Sequence, residues 1–334
     1  MQGARQPLAV IFRPFSDRFS DRFSDPFSDA FFDPRSDHWP TRCPTMCTIA
    51  ILLDVVAGAP LVVAANRDEI YARPSRPPES LGDGIAGGVD ALSGGTWLAI
   101  RRDGRFAAVT NQRALAPVAP GLRSRGLAVR ELIAAADPER HVAALDPAQY
   151  ASMNLVWGDA GAVSIAYVRR DGAGGPPGGA QGGAPGGAID IERLPRGIHV
   201  LCNDRLGAGG FPRGVRLHDA IAAAPLAWPA IVPTLEAALA DHTRVDPSRI
   251  DQIRSAAKQG SDSPCGEGPP CGVPPPSHLP PEIARELTAV CIHTPGYGTR
   301  SSTIFAAGRG EVIAYLHADG PPCTTPFADQ RGLL

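Results

Sequence analysis

Long apolar runs and an excess of charge of one sign are both missing from this sequence. No apolar run approaches the roughly 20 residues that a membrane-spanning helix requires. Lys and Arg number 32 and Asp and Glu number 34, which gives a formal net charge of −2. Because no overall positive field would attract polyanions, we expect neither nucleic acid nor an anionic lipid surface as a partner. These absences argue against a membrane span and against a nucleic-acid-binding protein.

Cysteine pairs with metal-binding or redox spacing are also missing. The 334 residues include seven cysteines, an odd and scattered set, and no pair has the C-x-x-C spacing of zinc and redox sites. We therefore expect neither a disulfide framework nor a metal site. The apolar stretch at residues 7–12 is shorter than the roughly 7–15 residues of a signal-peptide core. These features favour the cytoplasm as the compartment.

Glycine and proline are abundant. The chain has 37 glycines and 35 prolines, about twice the usual share. Many of them fall in two segments, near 171–188 and 259–281, which have few side chains that could pack into a core. We predict that both segments are flexible insertions.

Residues 1–45 carry a four-residue repeat based on Phe-Ser-Asp. A period of four fits no strand, and Pro26 and Pro34 interrupt any helix. We predict a disordered leader. Met46 offers a second start immediately before the first strand-like segment, and we expect translation to begin there. One domain would then occupy residues 46–320, followed by a tail at 321–334.

Short apolar runs separated by turns indicate strands at both ends of this domain, and amphipathic segments indicate helices in its middle. The predicted helices begin at a Ser124 N-cap and near residues 212 and 230. This order predicts an α+β fold with a mostly antiparallel sheet system. The predicted strands are 47–53, 61–65, 96–100, 106–110, 153–157, 162–167, 198–201, 287–293, 299–307 and 311–317.

Cys47 is the first candidate for chemistry. If Met46 is the start and is trimmed, the thiol and the free α-amine belong to one residue. An α-amine with a pKa of about 7.7–8.0 can accept the thiol proton at neutral pH without a histidine. The alternative is a buried apolar strand residue in a chain made from Met1, since cysteine is among the most buried residue types.

The run Asn66-Arg67-Asp68-Glu69 is the second candidate, because it abruptly ends an apolar strand. Charged groups at such a position must reach solvent or find partners. Held beside Cys47, they could position its amine and lower the pKa of its thiol. The alternative is a local ion pair at a strand end, which contributes little if exposed.

These residues and the motifs that follow resemble the NRDE family, also called the transport and Golgi organisation family. The resemblance covers about residues 46–318 and departs from the family at the leader, at both insertions and at the C-terminus. Its motifs are Met46-Cys47-Thr48-Ile49, Asn66-Arg67-Asp68-Glu69, Gly94-Gly95-Thr96-Trp97-Leu98-Ala99, Val109-Thr110-Asn111-Gln112-Arg113, Ser124-Arg125-Gly126, Asn154-Leu155-Val156, Leu201-Cys202-Asn203 and Tyr297-Gly298-Thr299-Arg300-Ser301-Ser302-Thr303.

The family is similar to the N-terminal nucleophile hydrolases, which implies an αββα sandwich of two stacked antiparallel sheets. By this resemblance Cys47 would be the nucleophile, and Arg67 and Asp68 would hold its thiol and amine. Asn111 and Asn203 would donate to the oxyanion. The adjacency of Arg67 and Asp68 differs from the related acylases, so the roles of Asp68 and Glu69 stay open.

Further residues are expected at the substrate site, namely Asn66, Glu69, Trp97 and Arg300. We place Arg300 in a turn, where it either faces the same cleft or forms an exposed salt bridge.

The resemblance therefore implies an N-terminal cysteine amidohydrolase that acts on a small amide or N-acyl compound without a cofactor. The alternative is a non-catalytic protein that carries haem or another small ligand. Haem requires an imidazole or thiolate axial ligand, and no single histidine stands out in the sequence. In both cases the partner is a small molecule. A third hypothesis, an interaction module that retains only the fold, has no positive sign in the sequence.

Overall fold

The computed structural model describes residues 47–112, 121–170, 187–208, 211–246 and 281–334. The predicted leader at 1–45 lies outside the described residues. So do the two predicted Gly/Pro insertions, except for their last residues.

Six antiparallel strands form the first sheet, in the spatial order β10-β1-β2-β11-β12-β13. The long central pair β2 and β11 places residues near 66 beside residues near 302, so distant parts of the sequence meet here. The strands are β1 Thr48–Val56, β2 Ala59–Ile70, β10 Gly197–Leu201, β11 Tyr297–Gly308, β12 Glu311–Ala318 and β13 Ala328–Asp329.

Seven strands form the second sheet, and their spatial order follows the sequence from β3 to β9. Each strand pairs antiparallel with the next, so this sheet is a simple meander. The strands are β3 Ser75–Gly82, β4 Ile85–Asp90, β5 Leu98–Arg101, β6 Phe106–Asn111, β7 Met153–Asp159, β8 Ala162–Arg169 and β9 Ala188–Arg193.

The two sheets stack face to face. Because successive strand side chains point to opposite faces, Ile49 and Ile51 of β1 enter the core between the sheets, while Ala50 and Leu52 face the helices. Phe106 and Phe305 meet across the sandwich with ring centroids 6.1 Å apart.

Helices cover the outer faces of both sheets. On the seven-stranded sheet lie α1 Arg125–Ala134 and α2 Pro138–Ala143, and on the six-stranded sheet lie α3 Pro212–Ala222 and α4 Val232–Leu239. A short helix, α5 Pro281–Glu286, precedes β11, and 3-10 turns occur at Pro147–Gln149 and Arg331–Leu333. The layers are αββα, which confirms the predicted α+β sandwich.

The predicted helix start at Ser124 is confirmed, since its side-chain oxygen accepts the Gly126 N–H at 3.3 Å. The predicted strand at 287–293 is wrong. This apolar segment is buried, but its first backbone bonds belong to turns after α5, such as Leu287 N–H to the carbonyl of Ile283, and Cys291 N–H donates to the carbonyl of Asp241 in another segment. A short apolar run fits a strand or a buried turn equally well.

Residues 321–334 join the fold through β13, which pairs with β12. Leu333 and Leu334 pack against the core between the sheets. Within the described ranges, no helix combines the length and the apolarity needed to cross a bilayer.

Candidate active site

The site lies where β1 begins and β2 ends. Thr48 pairs with Asn66, so the preceding residue, Cys47, comes next to Arg67. Arg67 continues the face of β2 that carries Ala65 in the core between the sheets. The antiparallel pairing therefore brings together two groups that are 20 positions apart in the sequence.

An open cavity of about 720 Å³ borders these residues. Asn66 does not line it, because strand alternation turns its side chain away. There its amide donates to the carbonyls of Leu239 and Val290 at 2.9 and 3.0 Å. Asn66 thus fastens β2 to the helical layer. The sequence-predicted residues that line the cavity are Cys47, Arg67, Asp68, Glu69, Trp97, Asn111 and Arg300.

Cys47 is buried at the cavity wall. Its thiol points to the backbone carbonyl of Asp68, with the sulfur 4.0 Å from the oxygen. Burial, and then the negative charge of Asp68, raise the pKa of the Cys47 thiol to about 12. The charge of Glu69 has the smallest effect on this pKa. The sequence left the roles of Asp68 and Glu69 open, and Asp68 is the one that interacts more strongly with the thiol.

Asp68 is almost fully buried. Its Oδ1 accepts the Thr299 hydroxyl at 2.6 Å, and its Oδ2 has no hydrogen-bond partner among the described residues. Burial raises the pKa of Asp68 to about 7, while the charge of Arg213 opposes the rise. The carboxyl group is therefore poised to change its protonation near neutral pH.

Arg67 and Arg300 converge on one hydroxyl. Ser75 Oγ accepts from Arg67 at 3.4 Å and from Arg300 at 3.1 Å. Arg67 also lies 3.6 Å from the carboxylate of Glu69, which in turn lies 3.8 Å from Arg73. Arg300 belongs to β11 and lines the cavity, so its predicted place in a turn is wrong, whereas the predicted strand 299–307 correctly contains it.

Asn111 and Asn203 lie side by side, although their sequence positions are far apart. The Asn203 amide donates to the backbone carbonyl of Asn111 at 2.9 Å, and its oxygen accepts from Arg213. Asn111 lines the cavity at the end of β6, whereas Asn203 lies behind it.

The sequence patterns assign no role to Arg213 and Arg125. Arg213 is fully buried on α3, where it donates to Asn203 and its charge acts on Asp68; both relationships exist only in the folded chain. Arg125 stands at the first turn of α1 and lines the cavity. Its motif, Ser124-Arg125-Gly126, was visible in the sequence, but its position facing Cys47 was not.

The sequence of this chain matches the profile of one protein family. The sequence profile described as Transport and Golgi organisation 2 matches residues 46–316, which is most of the chain. The chain belongs to this family. The matched range includes every residue of the candidate site described above.

Two relatives named for transport and Golgi organization align over a shorter stretch. The proteins named Transport and Golgi organization protein 2 homolog from Homo sapiens and Bos taurus are 46% and 45% identical over 56 residues. That stretch is 15% of this chain and spans only 20% of the length of each relative.

Among solved structures, the Caenorhabditis elegans N-acylethanolamine-hydrolyzing acid amidase ortholog is similar, with a TM-score of 0.38 and 9% identity. The match covers 58% of this chain and 85% of that one.

Proposed function

We propose that this protein is an amidohydrolase whose nucleophile is Cys47 and whose substrate is a small amide or N-acyl compound. The observation that supports this most directly is the position of Cys47, buried at the wall of a cavity with Arg67 and Asp68 beside it. The charges of Arg67 and Asp68 both act on the thiol, so the site combines a nucleophile with two groups that can orient it.

The nucleophile requires activation, because a thiol with a pKa of about 12 is almost entirely protonated at neutral pH. Removal of the residues before Cys47 would place a free α-amine within the same residue. This amine can take the thiol proton and later give it to the leaving group. The proposal therefore requires a chain that begins at Cys47, in a reducing compartment such as the cytoplasm.

The proposed reaction has two steps. The Cys47 sulfur attacks the acyl carbon, the C–N bond breaks, and the departing amine receives the proton. Water then hydrolyses the thioester, which releases the acid and restores the thiol. Asn111 lines the cavity and would donate to the oxyanion, while Asn203 and Arg213 would hold it from behind.

Arginine dominates the charge of the cavity and favours a substrate with a negative group. Six arginines and four carboxylates line it within the described part of the chain. Arg125 has no hydrogen bond or ion pair with another described residue, and burial lowers the pKa of its guanidinium. The charge of Glu69 acts on Arg125 only without a direct bond, so a carboxylate on the substrate would supply a directly bonded partner. The six are Arg67, Arg73, Arg76, Arg123, Arg125 and Arg300.

A panel of aminocoumarin amides tests this function. We expect the chain that begins at Cys47 to hydrolyse a succinyl amide, which carries a free carboxylate, faster than the neutral butanoyl amide. Cys47→Ala should abolish turnover and Cys47→Ser should leave a trace. A chain that retains Met46 or earlier residues should be inactive, as verified by intact mass. Equal turnover by wild type and Cys47→Ala would exclude this mechanism.

Haem carriage is the second candidate, and His317 is the observation that favours it. His317 lines the same cavity, and its Nδ1 lies 3.0 Å from the Thr303 hydroxyl. Burial lowers the pKa of His317 to about 4, so the imidazole is neutral and able to bind iron at neutral pH. Haem titration should then give a saturable Soret shift that His317→Ala weakens. No shift at micromolar haem would contradict this candidate.

A further inference from the structure

Four metal-ligating side chains meet outside the cavity, on three separate segments. His242 follows α4, Cys291 and His293 belong to the loop before β11, and Cys323 follows β12. One nitrogen or sulfur atom from each of them lies within 4.8 Å of the corresponding atoms of the others. The C-x-x-C criterion misses this group, because the sequence separations are 49, 2 and 30 residues.

The distances within this His/Cys cluster fit one central ion. The two sulfur atoms are 3.8 Å apart, and His293 Nε2 lies 3.6 Å from Cys291 Sγ and 3.3 Å from Cys323 Sγ. A tetrahedral zinc ion with Zn–S bonds of about 2.3 Å and Zn–N bonds of about 2.0–2.1 Å has S–S edges of about 3.8 Å and S–N edges of about 3.5 Å. The three edges among the two sulfur atoms and His293 Nε2 therefore match those of a zinc tetrahedron, and a nitrogen of His242 lies within 4.8 Å of all three atoms.

The surroundings of the ligands add a second, independent sign. His242 Nδ1 lies 3.0 Å from the carbonyl of Cys291, and the N–H of Cys291 donates to the carbonyl of Asp241 at 2.9 Å. With Nδ1 bonded to a carbonyl, Nε2 of His242 is the nitrogen left for a metal. Metal-binding histidines usually donate their other ring N–H in this way, which fixes the ring.

The ligand chemistry selects the metal. Two thiolates and two imidazoles in a tetrahedron are typical of structural zinc, whereas magnesium and calcium require oxygen ligands. All four corners are protein atoms, which describes a closed structural site with no position for a substrate.

We propose that His242, Cys291, His293 and Cys323 bind one zinc ion. Binding releases the two thiol protons to water and leaves a neutral Zn(S⁻)₂N₂ centre. The ion fastens the segment after β12 to the loop before β11. This proposal replaces the expectation of no metal site and is independent of the proposed catalysis.

Metal analysis of the purified full chain tests the zinc site. Elemental mass spectrometry should find about one zinc ion per chain. After zinc is replaced by cobalt, the absorption spectrum should show thiolate-to-Co²⁺ charge-transfer bands. Cys323→Ser should weaken zinc binding at least tenfold and shift these bands. Cys323 is exposed, so this variant should fold. His293→Gln provides a second variant at another corner.

Two control variants test whether zinc loss is specific to the four proposed ligands. His218→Gln changes an exposed histidine of α3, and Cys47→Ser changes a cysteine of the cavity; both should retain full zinc content. The proposal is overturned if wild-type protein contains no zinc and develops no cobalt bands. It is equally overturned if reduced wild-type and Cys323→Ser chains bind zinc alike, or if peptide mapping of freshly prepared protein shows a Cys291–Cys323 disulfide.

Discussion

The Thr299 hydroxyl donates to Asp68 Oδ1 at 2.6 Å and accepts the N–H of Ile292 at 2.9 Å. One side chain thus connects the carboxyl group beside Cys47 to the loop that carries Cys291. The cavity and the His/Cys cluster are neighbours in the fold, although 231 positions separate Asp68 from Thr299. A substitution of Asp68 should therefore change both the free energy of unfolding and the reactivity of Cys47.

The stability of the protein should depend on the protonation of Asp68. Its pKa is about 7 in the folded chain and 3.8 ordinarily, so the folded state holds a proton that the unfolded state loses first. The resulting stabilisation is complete below about pH 4 and disappears as the pH rises through 7. This difference in the pKa of Asp68 corresponds to a contribution of at most about 4 kcal/mol to the free energy of unfolding.

Urea unfolding between pH 4 and 8 measures this effect. The contribution of Asp68 makes the free energy of unfolding decrease across that range, and Asp68→Asn should remove that part of the slope. Asp159→Asn, at an exposed turn, is the matched control and should keep it. Identical slopes for wild type and Asp68→Asn would show that Asp68 has an ordinary pKa in the folded chain.

Most of the antiparallel strands were predictable from the sequence because most of the short apolar runs form strands, although the buried run at 287–292 forms turns instead. The αββα layering followed only from the family resemblance. Most of the site was also visible, since polar residues that end apolar strands must be satisfied. Asn66 shows what the sequence pattern could not predict. Its side chain and that of Arg67 point to opposite faces of β2, although both belong to one sequence motif and were therefore expected in one site. The partners of Asn66, Leu239 and Val290, come from distant segments whose contacts no local pattern specifies.

The His/Cys cluster shows a different limit. Its ligands lie on three segments, and their meeting depends on β12 returning beside β11 and on the turn at 321–325. The spacing rules for zinc sites describe ligands held by short loops. They contain no information on ligands that are brought together by sheet topology.

Arg125 should select for a negative charge on the substrate. Arg125→Gln removes the guanidinium while keeping a similar length, so we expect the KM for the succinyl amide to rise about tenfold, equivalent to about 1.4 kcal/mol. The KM for the butanoyl amide should change less than twofold. Arg140→Gln, an exposed change on α2, should alter neither value. Equal effects on both amides would show that Arg125 supports the structure of the cavity and does not bind the carboxylate.

Gly126 of α1 lies so close to Thr96, in the segment before β5, that there is no room for a side chain at this position. A Cβ at Gly126 would lie 2.9 Å from the backbone nitrogen and 3.0 Å from the backbone oxygen of Thr96. The Gly126 carbonyl also accepts the Thr96 N–H at 3.1 Å, so the two segments cannot separate without losing this bond. Since Trp97 and Arg125 are the next residues on the two sides, a shift here would displace two lining groups of the cavity.

Gly126→Ala should therefore lower the free energy of unfolding by about 1–3 kcal/mol, because the backbone must move to admit the methyl group. Gly332→Ala is the matched control: no atom lies within 4 Å of its added Cβ, so its effect should stay within about 0.5 kcal/mol. Urea unfolding of both variants at one pH gives the comparison. Equal stability of the two variants would mean that α1 can move away from Thr96 at no cost, and the placement of Arg125 against the cavity would then be loose.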